Sequence, residues 1–232
     1  MSQFDAVANK YIEHAVKKGA QWKPYAAIVD ELAKETAIAG KTICDIGCGP
    51  GILTGKLREL GGQLTGVDSS EILLNYASSQ DQNVHWIHDD AMTLSQLREE
   101  SFDIVVSSLM LMDVPDHRAV FRQSLRILKP GGLMIWLIMH PCFQSPFSEP
   151  LEGGGHKVVQ YAPQYWKSEG EDTFRSIAGS HHRPISDYVN DFMNAGFELQ
   201  RLFEPGAEQG IPAHFGAVGR KSASDGIGII GD

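Results

Sequence analysis

The sequence predicts an α/β fold in which a mostly parallel sheet is flanked by helices. Three observations predict it: short β-branched and apolar runs alternate with stretches of helical periodicity, a glycine-rich turn joins the first such run to a helix, and the second run ends in a carboxylate. A connection that holds a helix lets consecutive strands lie parallel, and such crossovers are right-handed.

The elements follow in order. Phe4, Val7, Ala8, Tyr11, Ile12, Ala15 and Val16 recur at three- and four-residue steps and predict an amphipathic helix. Tyr25, Ile28, Val29, Leu32 and Ala33 predict a second, so residues 1–40 are read as N-terminal helices. Strands are predicted at residues 42–46, 63–67, 84–88, 104–107 and 133–139, with helical stretches between them. Ser70 is placed to cap the helix that carries Ile72, Leu73, Tyr76 and Ala77, Gly131 and Gly132 follow Pro130 as a turn into the fifth strand, and Gly196 ends the last helix. Residues 1–221 are expected to form one domain, with a tail at 222–232.

The chemistry starts at Thr42-Ile43-Cys44-Asp45-Ile46-Gly47-Cys48-Gly49-Pro50-Gly51. Gly47, Gly49 and Gly51 let the backbone turn sharply and come within contact of a ligand where a Cβ would collide. The helix over residues 52–60 then points its unpaired N–H groups at whatever anion sits in the loop. Asp68, seventeen residues past Gly51, ends the next strand where a ribose diol needs an acceptor. This unit is expected to bind an adenosyl cofactor. A dinucleotide pyrophosphate usually asks for Gly-x-Gly-x-x-Gly, whereas this loop reads Asp-x-Gly-x-Gly-x-Gly. Asp45 repels a phosphate and suits an amino-acid ammonium group.

With these residues the sequence resembles the class I S-adenosylmethionine-dependent methyltransferases, in their small-molecule branch. "ICDIGCGPG" is similar to the first motif of that family and "LTGVDSSEIL" to the second, "IHDDAMTL" to the adenine-edge motif, and "SFDIVVSSLMLMDV" to the fourth strand with its active-site loop. "LRILKPGGLMIWLI", "HRPISDYVNDFMNAGFELQRLFEP" and "AHFGAVGRK" resemble the stretches through the fifth, sixth and seventh strands. The resemblance implies a Rossmann-like, seven-stranded, mostly parallel sheet with a lid insertion after strand five, and S-adenosyl-L-methionine as cofactor. It implies cofactor contacts from Asp45, Gly47, Gly49, Gly51, Asp68, Ser69, Asp90, Ala91, Ser107 and Tyr11.

A net charge of -9 argues against a nucleic-acid partner, which asks for a basic face. No apolar run reaches the ~20 residues of a membrane span, and the first residues lack a basic start and an apolar stretch, so a cytoplasmic monomer or homodimer is expected. The three cysteines, Cys44, Cys48 and Cys142, show no zinc spacing, and no metal is expected.

From 141 to 184 the periodicity stops, and the segment holds three consecutive glycines with Phe143, Phe147, Tyr161, Tyr165, Trp166 and Phe174. So long a stretch emerging from the ligand end of the sheet reads as a lid over the acceptor. Methyl transfer from a sulfonium needs alignment above all, and an acceptor with a proton to lose benefits from a base. His140, at the end of strand five, is the first candidate; His182 in "HRP" is the second. Asp113 stands where relatives carry a histidine, and is a candidate orienter. Met110, Met112 and the lid aromatics suggest an apolar or aromatic small molecule. O-methylation is expected first, N- or C-methylation next, and a non-catalytic adenosyl-binding module or a nicotinamide oxidoreductase are the readings from other classes.

Overall fold

The computed structural model describes residues 4–169 and 173–223. The tail expected at 222–232 lies outside the described residues from 224 on. A single 3-10 turn at Asp5–Val7 leads into α1 (Ala8–Lys18) and α2 (Lys23–Glu35). Then come β1 (Thr42–Ile46), α3 (Ile52–Glu59), β2 (Gln63–Asp68), α4 (Glu71–Gln80), β3 (His85–His88), β4 (Phe102–Ser108), α5 (His117–Ile127) and β5 (Leu128–Met139). The insertion carries β6 (Ser148–Pro150), β7 (His156–Val158), β8 (Gln164–Trp166), α6 (Phe174–Ile177) and β9 (Ser180–His182), before α7 (Ile185–Asn194), β10 (Phe197–Phe203) and β11 (His214–Lys221) close the chain's described part.

Seven strands form one sheet in the order β10-β11-β5-β4-β1-β2-β3. The pairs from β3 through β5 are parallel, while β11 runs antiparallel to both β5 and β10. Strand order reverses beside β1, which pairs β2 on one side and β4 on the other. A reversal of this kind leaves a crevice beyond the carboxyl ends of the strands, because the crossovers on its two sides leave in opposite directions.

Both faces of the sheet are covered, as parallel strands require. Along β5, Met134, Trp136 and Ile138 enter one core with Phe121, Tyr188 and Phe192 from α5 and α7. Leu133, Ile135 and Leu137 enter the other with Ile28 and Leu32 from α2 and Leu53 and Leu57 from α3. The period of two in side-chain direction thus produces three layers. Among the described residues no helix is long and apolar enough to cross a membrane.

One sequence expectation is corrected in detail. The Lys-Pro-Gly-Gly run is not a turn before strand five but part of it, since β5 begins at Leu128, opposite Phe102. Gly131, at φ +74°, absorbs the kink, and the register with β4 shifts there. The insertion read as a lid holds two short hairpins, β6 with β7 and β8 with β9. Strands of three residues are too short to show alternation in sequence.

The antiparallel edge depends on a close approach. A Cβ at Gly216 would lie 2.5 Å from the Trp136 carbonyl oxygen and 2.5 Å from Phe203 Cζ. Gly216→Ala is therefore expected to destabilise the protein by about 1–3 kcal/mol in urea unfolding. Unchanged stability would contradict this packing.

Candidate active site

A cleft opens where β1, β2 and β4 end, lined by Gly47, Gly49, Asp68, Ser69, Asp90, Ala91, Ser108, Met110, Asp113 and, from the N-terminal segment, Phe4 and Tyr11. The loop after β1 turns back at once, because Gly47 and Cys48 both donate their N–H to the Val67 carbonyl, at 2.8 and 3.0 Å. Gly47 has φ +72° and Gly49 φ +55°. A Cβ at Gly47 would lie 2.4 Å from Met110 Cγ, and one at Gly49 would lie 3.2 Å from the Tyr11 ring. Gly51 serves a different purpose: it begins α3 against Trp86 and does not line the cleft.

Asp68 accepts from the Gly49 N–H at 2.9 Å and from the Ser70 N–H at 2.8 Å. Burial pushes its carboxyl up, and these N–H donors pull it back down. Ser70 in turn caps α4 by accepting from Leu73. Asp90 accepts from the Met92 N–H at 2.8 Å, which fixes the short turn that bears Ala91.

Several expected residues do not line the cleft. Asp45, 1% exposed, lies behind the loop and accepts from Thr54 Oγ1 at 2.6 Å. Burial pushes its carboxyl up to about 7, and the neighbouring Asp68 charge adds to this. Ser107 points into the sheet's core, and Ser108, its alternate, faces the cleft.

His140 does not face the cleft. Its Nδ1 accepts from the Cys142 N–H at 3.1 Å, which leaves Nε2 to donate to Glu204 at 2.8 Å. Both ring nitrogens are thus committed to partners outside the cleft. His182 stacks on Phe147 with ring centroids 3.8 Å apart, inside the insertion's own core, and burial pushes its imidazole down. Neither histidine lines the cleft or the cavity beside it.

That cavity is walled by Tyr11, His14, Trp22, Met112, Met139 and Phe174, and it shares Asp113 with the cleft. Burial pushes the Asp113 carboxyl up to about 6, and the Arg175 guanidinium bonded to it opposes that shift. Burial with the Asp113 and Asp68 charges raises the Tyr11 hydroxyl far above its ordinary value, so it stays neutral. Sequence reasoning missed His14, Trp22 and Arg175. His14 follows Tyr11 by three residues on α1 and so shares its face, a legible signal; Arg175 reaches the site through tertiary packing alone.

The residues present fit an adenosyl cofactor. Ser108 Oγ is buried with no hydrogen-bond partner among the described residues, in the wall of a cleft whose floor a Cβ at Gly47 would disturb. Asp68 supplies acceptor oxygens at the strand end. Among the described residues no cluster of His, Cys, Asp and Glu is arranged to hold a metal.

Residues 44–136 match the family described as "Methyltransferase domain". The chain is 30% identical over 151 residues to a protein of Hydrogenovibrio crunogenus named "Ubiquinone biosynthesis O-methyltransferase", covering 62% of each. A protein of the same name from Coxiella burnetii is 26% identical over 173 residues, 67% of this chain and 74% of that one. The chain spans about three fifths of the length of the curated relatives it first matches. In fold it is similar to an S-adenosylmethionine-dependent methyltransferase from Mesorhizobium loti, with a TM-score of 0.74, 24% identity, and coverage of 89% of this chain and 100% of that one.

Asp45 gives a pH-dependent prediction. Its folded value, about 7, lies above its unfolded value of 3.8, so its contribution is present below pH ~4 and is lost as pH rises through about 7. Buried histidines such as His117 and His214, pushed down to about 4, act in the opposite sense but cancel between variants. The melting temperature of Asp45→Asn minus that of the wild type is therefore expected to climb between pH 4 and 8. A flat difference would contradict the buried, uncompensated carboxylate.

Proposed function

We propose, from the premise that residues 44–136 are a methyltransferase domain of the class I S-adenosylmethionine-dependent family, that the protein methylates a hydroxyl of a small apolar or aromatic acceptor, with Asp113 as the base. The observation that carries this reading is the position of Asp113, one carboxyl in the wall common to the glycine-loop cleft and the aromatic cavity. S-adenosyl-L-methionine, when bound, supplies an electrophilic methyl group on a sulfonium.

The chain's residues divide the remaining work. Asp68 would accept from the ribose hydroxyls, and Asp90 with the backbone at Ala91 would meet the base edge. Gly47 and Gly49 let main chain approach the ligand, while Phe4 and Tyr11 cover it and exclude water. Trp22, Phe174, Met112 and Met139 bury an apolar or aromatic body beside it. Asp113 takes the hydroxyl proton as the oxygen attacks, and a carboxylate raised to about 6 stays ionised at neutral pH while being a stronger base than a free one. His140 and His182, read from sequence as candidate bases, have no part in this step.

The names of the relatives support an oxygen acceptor over nitrogen or carbon. A non-catalytic adenosyl-binding module is disfavoured by the second cavity and its buried acid, neither of which binding the cofactor requires.

The test is turnover of S-adenosyl-L-methionine with catechol and related phenols. The wild-type rate is expected to rise with pH through about 6, since Asp113 must lose its proton to act. Asp113→Asn is expected to lower kcat by about 10²–10⁴ while leaving cofactor affinity nearly unchanged. A variant as fast as the wild type would remove Asp113 from the mechanism, and no turnover of any hydroxyl acceptor would remove the proposed reaction.

A further inference from the structure

Residues 111–115, the loop that bears Asp113, are held from outside by the returning end of the insertion. The Leu111 carbonyl accepts from Arg183 at 3.1 Å, and the Val114 and Pro115 carbonyls accept from the same guanidinium at 2.7 and 3.0 Å. The Met112 carbonyl accepts from the His181 N–H at 2.7 Å and from Ser180 Oγ at 3.2 Å. The Asp113 carboxyl receives Arg175, with Ser180 Oγ at 3.5 Å. Arg183 grips main chain and lies 8% exposed, below the loop. Arg175 alone of the two arginines reaches the cavity and touches the acid.

Arg175 is itself fixed from two sides. Its guanidinium also donates to the Gly179 carbonyl at 3.1 Å, which closes α6 onto β9. Its neighbour Phe174 packs edge-on between Tyr11 and His14 of α1, at centroid distances of 5.5 and 5.6 Å. The cation therefore occupies one place relative to α1 and to the loop.

We infer that Arg175 is a positioning residue for Asp113: carried by the insertion, it holds the carboxyl at the wall shared by the two cavities and sets the orientation and charge of the base. A carboxylate facing an apolar cavity would otherwise take up a proton and turn toward whatever donor it finds. The other groups that face Asp113 do not replace it. Ser180 is neutral, Arg183 is spent on three carbonyls, Tyr11 and Tyr188 are held neutral by burial, and His14 lies across the cavity with burial pushing its imidazole down. The inference rests on Asp113 being the base, and its test separates the two.

Carbon-13 detection of the aspartate carboxyls follows Asp113 directly, with its signal identified by its loss in Asp113→Asn. Arg175→Gln is expected to move the Asp113 titration midpoint up by about one to three pH units, the effect of removing an adjacent opposite charge. Arg175→Lys, which restores the charge on a different geometry, is expected to recover at least part of that shift, and Arg175→Met stands in for Arg175→Gln should the latter not fold. The pH-rate profile with catechol should move by the same amount as the midpoint. A midpoint unchanged in both variants would overturn the inference. A shifted midpoint with no turnover of any acceptor would leave Arg175 as the partner that sets Asp113 and would reject the role of Asp113 as base, and with it this inference.

Discussion

The Asp68 carboxylate, bonded to the N–H groups of Gly49 and Ser70, ties three separate pieces of chain at one point. It anchors the glycine loop to the end of β2 and fixes the start of α4, and it keeps its acceptor oxygens at the mouth of the cleft. Glycine at 47 and 49 makes the turn possible, but backbone so permissive has no reason to hold one shape. Two hydrogen bonds to a charged acceptor, each worth roughly 1.5–3 kcal/mol, supply that reason. The strand order reverses beside β1, so the sheet itself delivers the loop and the acid to the same crevice.

Three acids lie within this region, Asp45 and Asp113 buried and Asp68 half-buried, and their partners set their parts. Asp45 has a single hydroxyl donor and is pushed up furthest, to about 7, so it braces α3 from behind the loop. Asp68 has main-chain donors that favour its charge, which suits an acceptor of hydroxyl hydrogen bonds. Asp113 has a guanidinium and stands at about 6, between the values of an ordinary carboxylate and a neutral one. Burial raises all three, and the identity of the donor then separates how far each is held from its ordinary value.

Much of this was legible in sequence because it is local. The strand-loop-helix unit, the acid at Asp68, the cap at Ser70 and the five strands β1 to β5 in order follow from spacing and periodicity within short windows, while the last two strands were expected from the family resemblance. What was not legible depended on partners distant in the chain. His140 looked like a base because it ends β5 at the ligand side, yet Glu204 and the Cys142 N–H take both its nitrogens. Ser107 and Ser108 differ only in which face of β4 they occupy, and a strand boundary uncertain by one residue reverses that choice. Arg175 and Arg183 sit in a segment without periodicity, and their contacts with residues 111–115 span some sixty residues or more of sequence.

Binding of the cofactor's product form reports on the cleft most directly. Calorimetric titration of the purified protein with S-adenosylhomocysteine should give one site per chain, weakened by Asp68→Ala about ten- to a hundredfold, as expected for lost hydrogen bonds to a charged acceptor. Absence of heat from the wild type, or equal affinity in Asp68→Ala, would contradict an adenosyl cofactor held between the glycine loop and the acid at the end of β2.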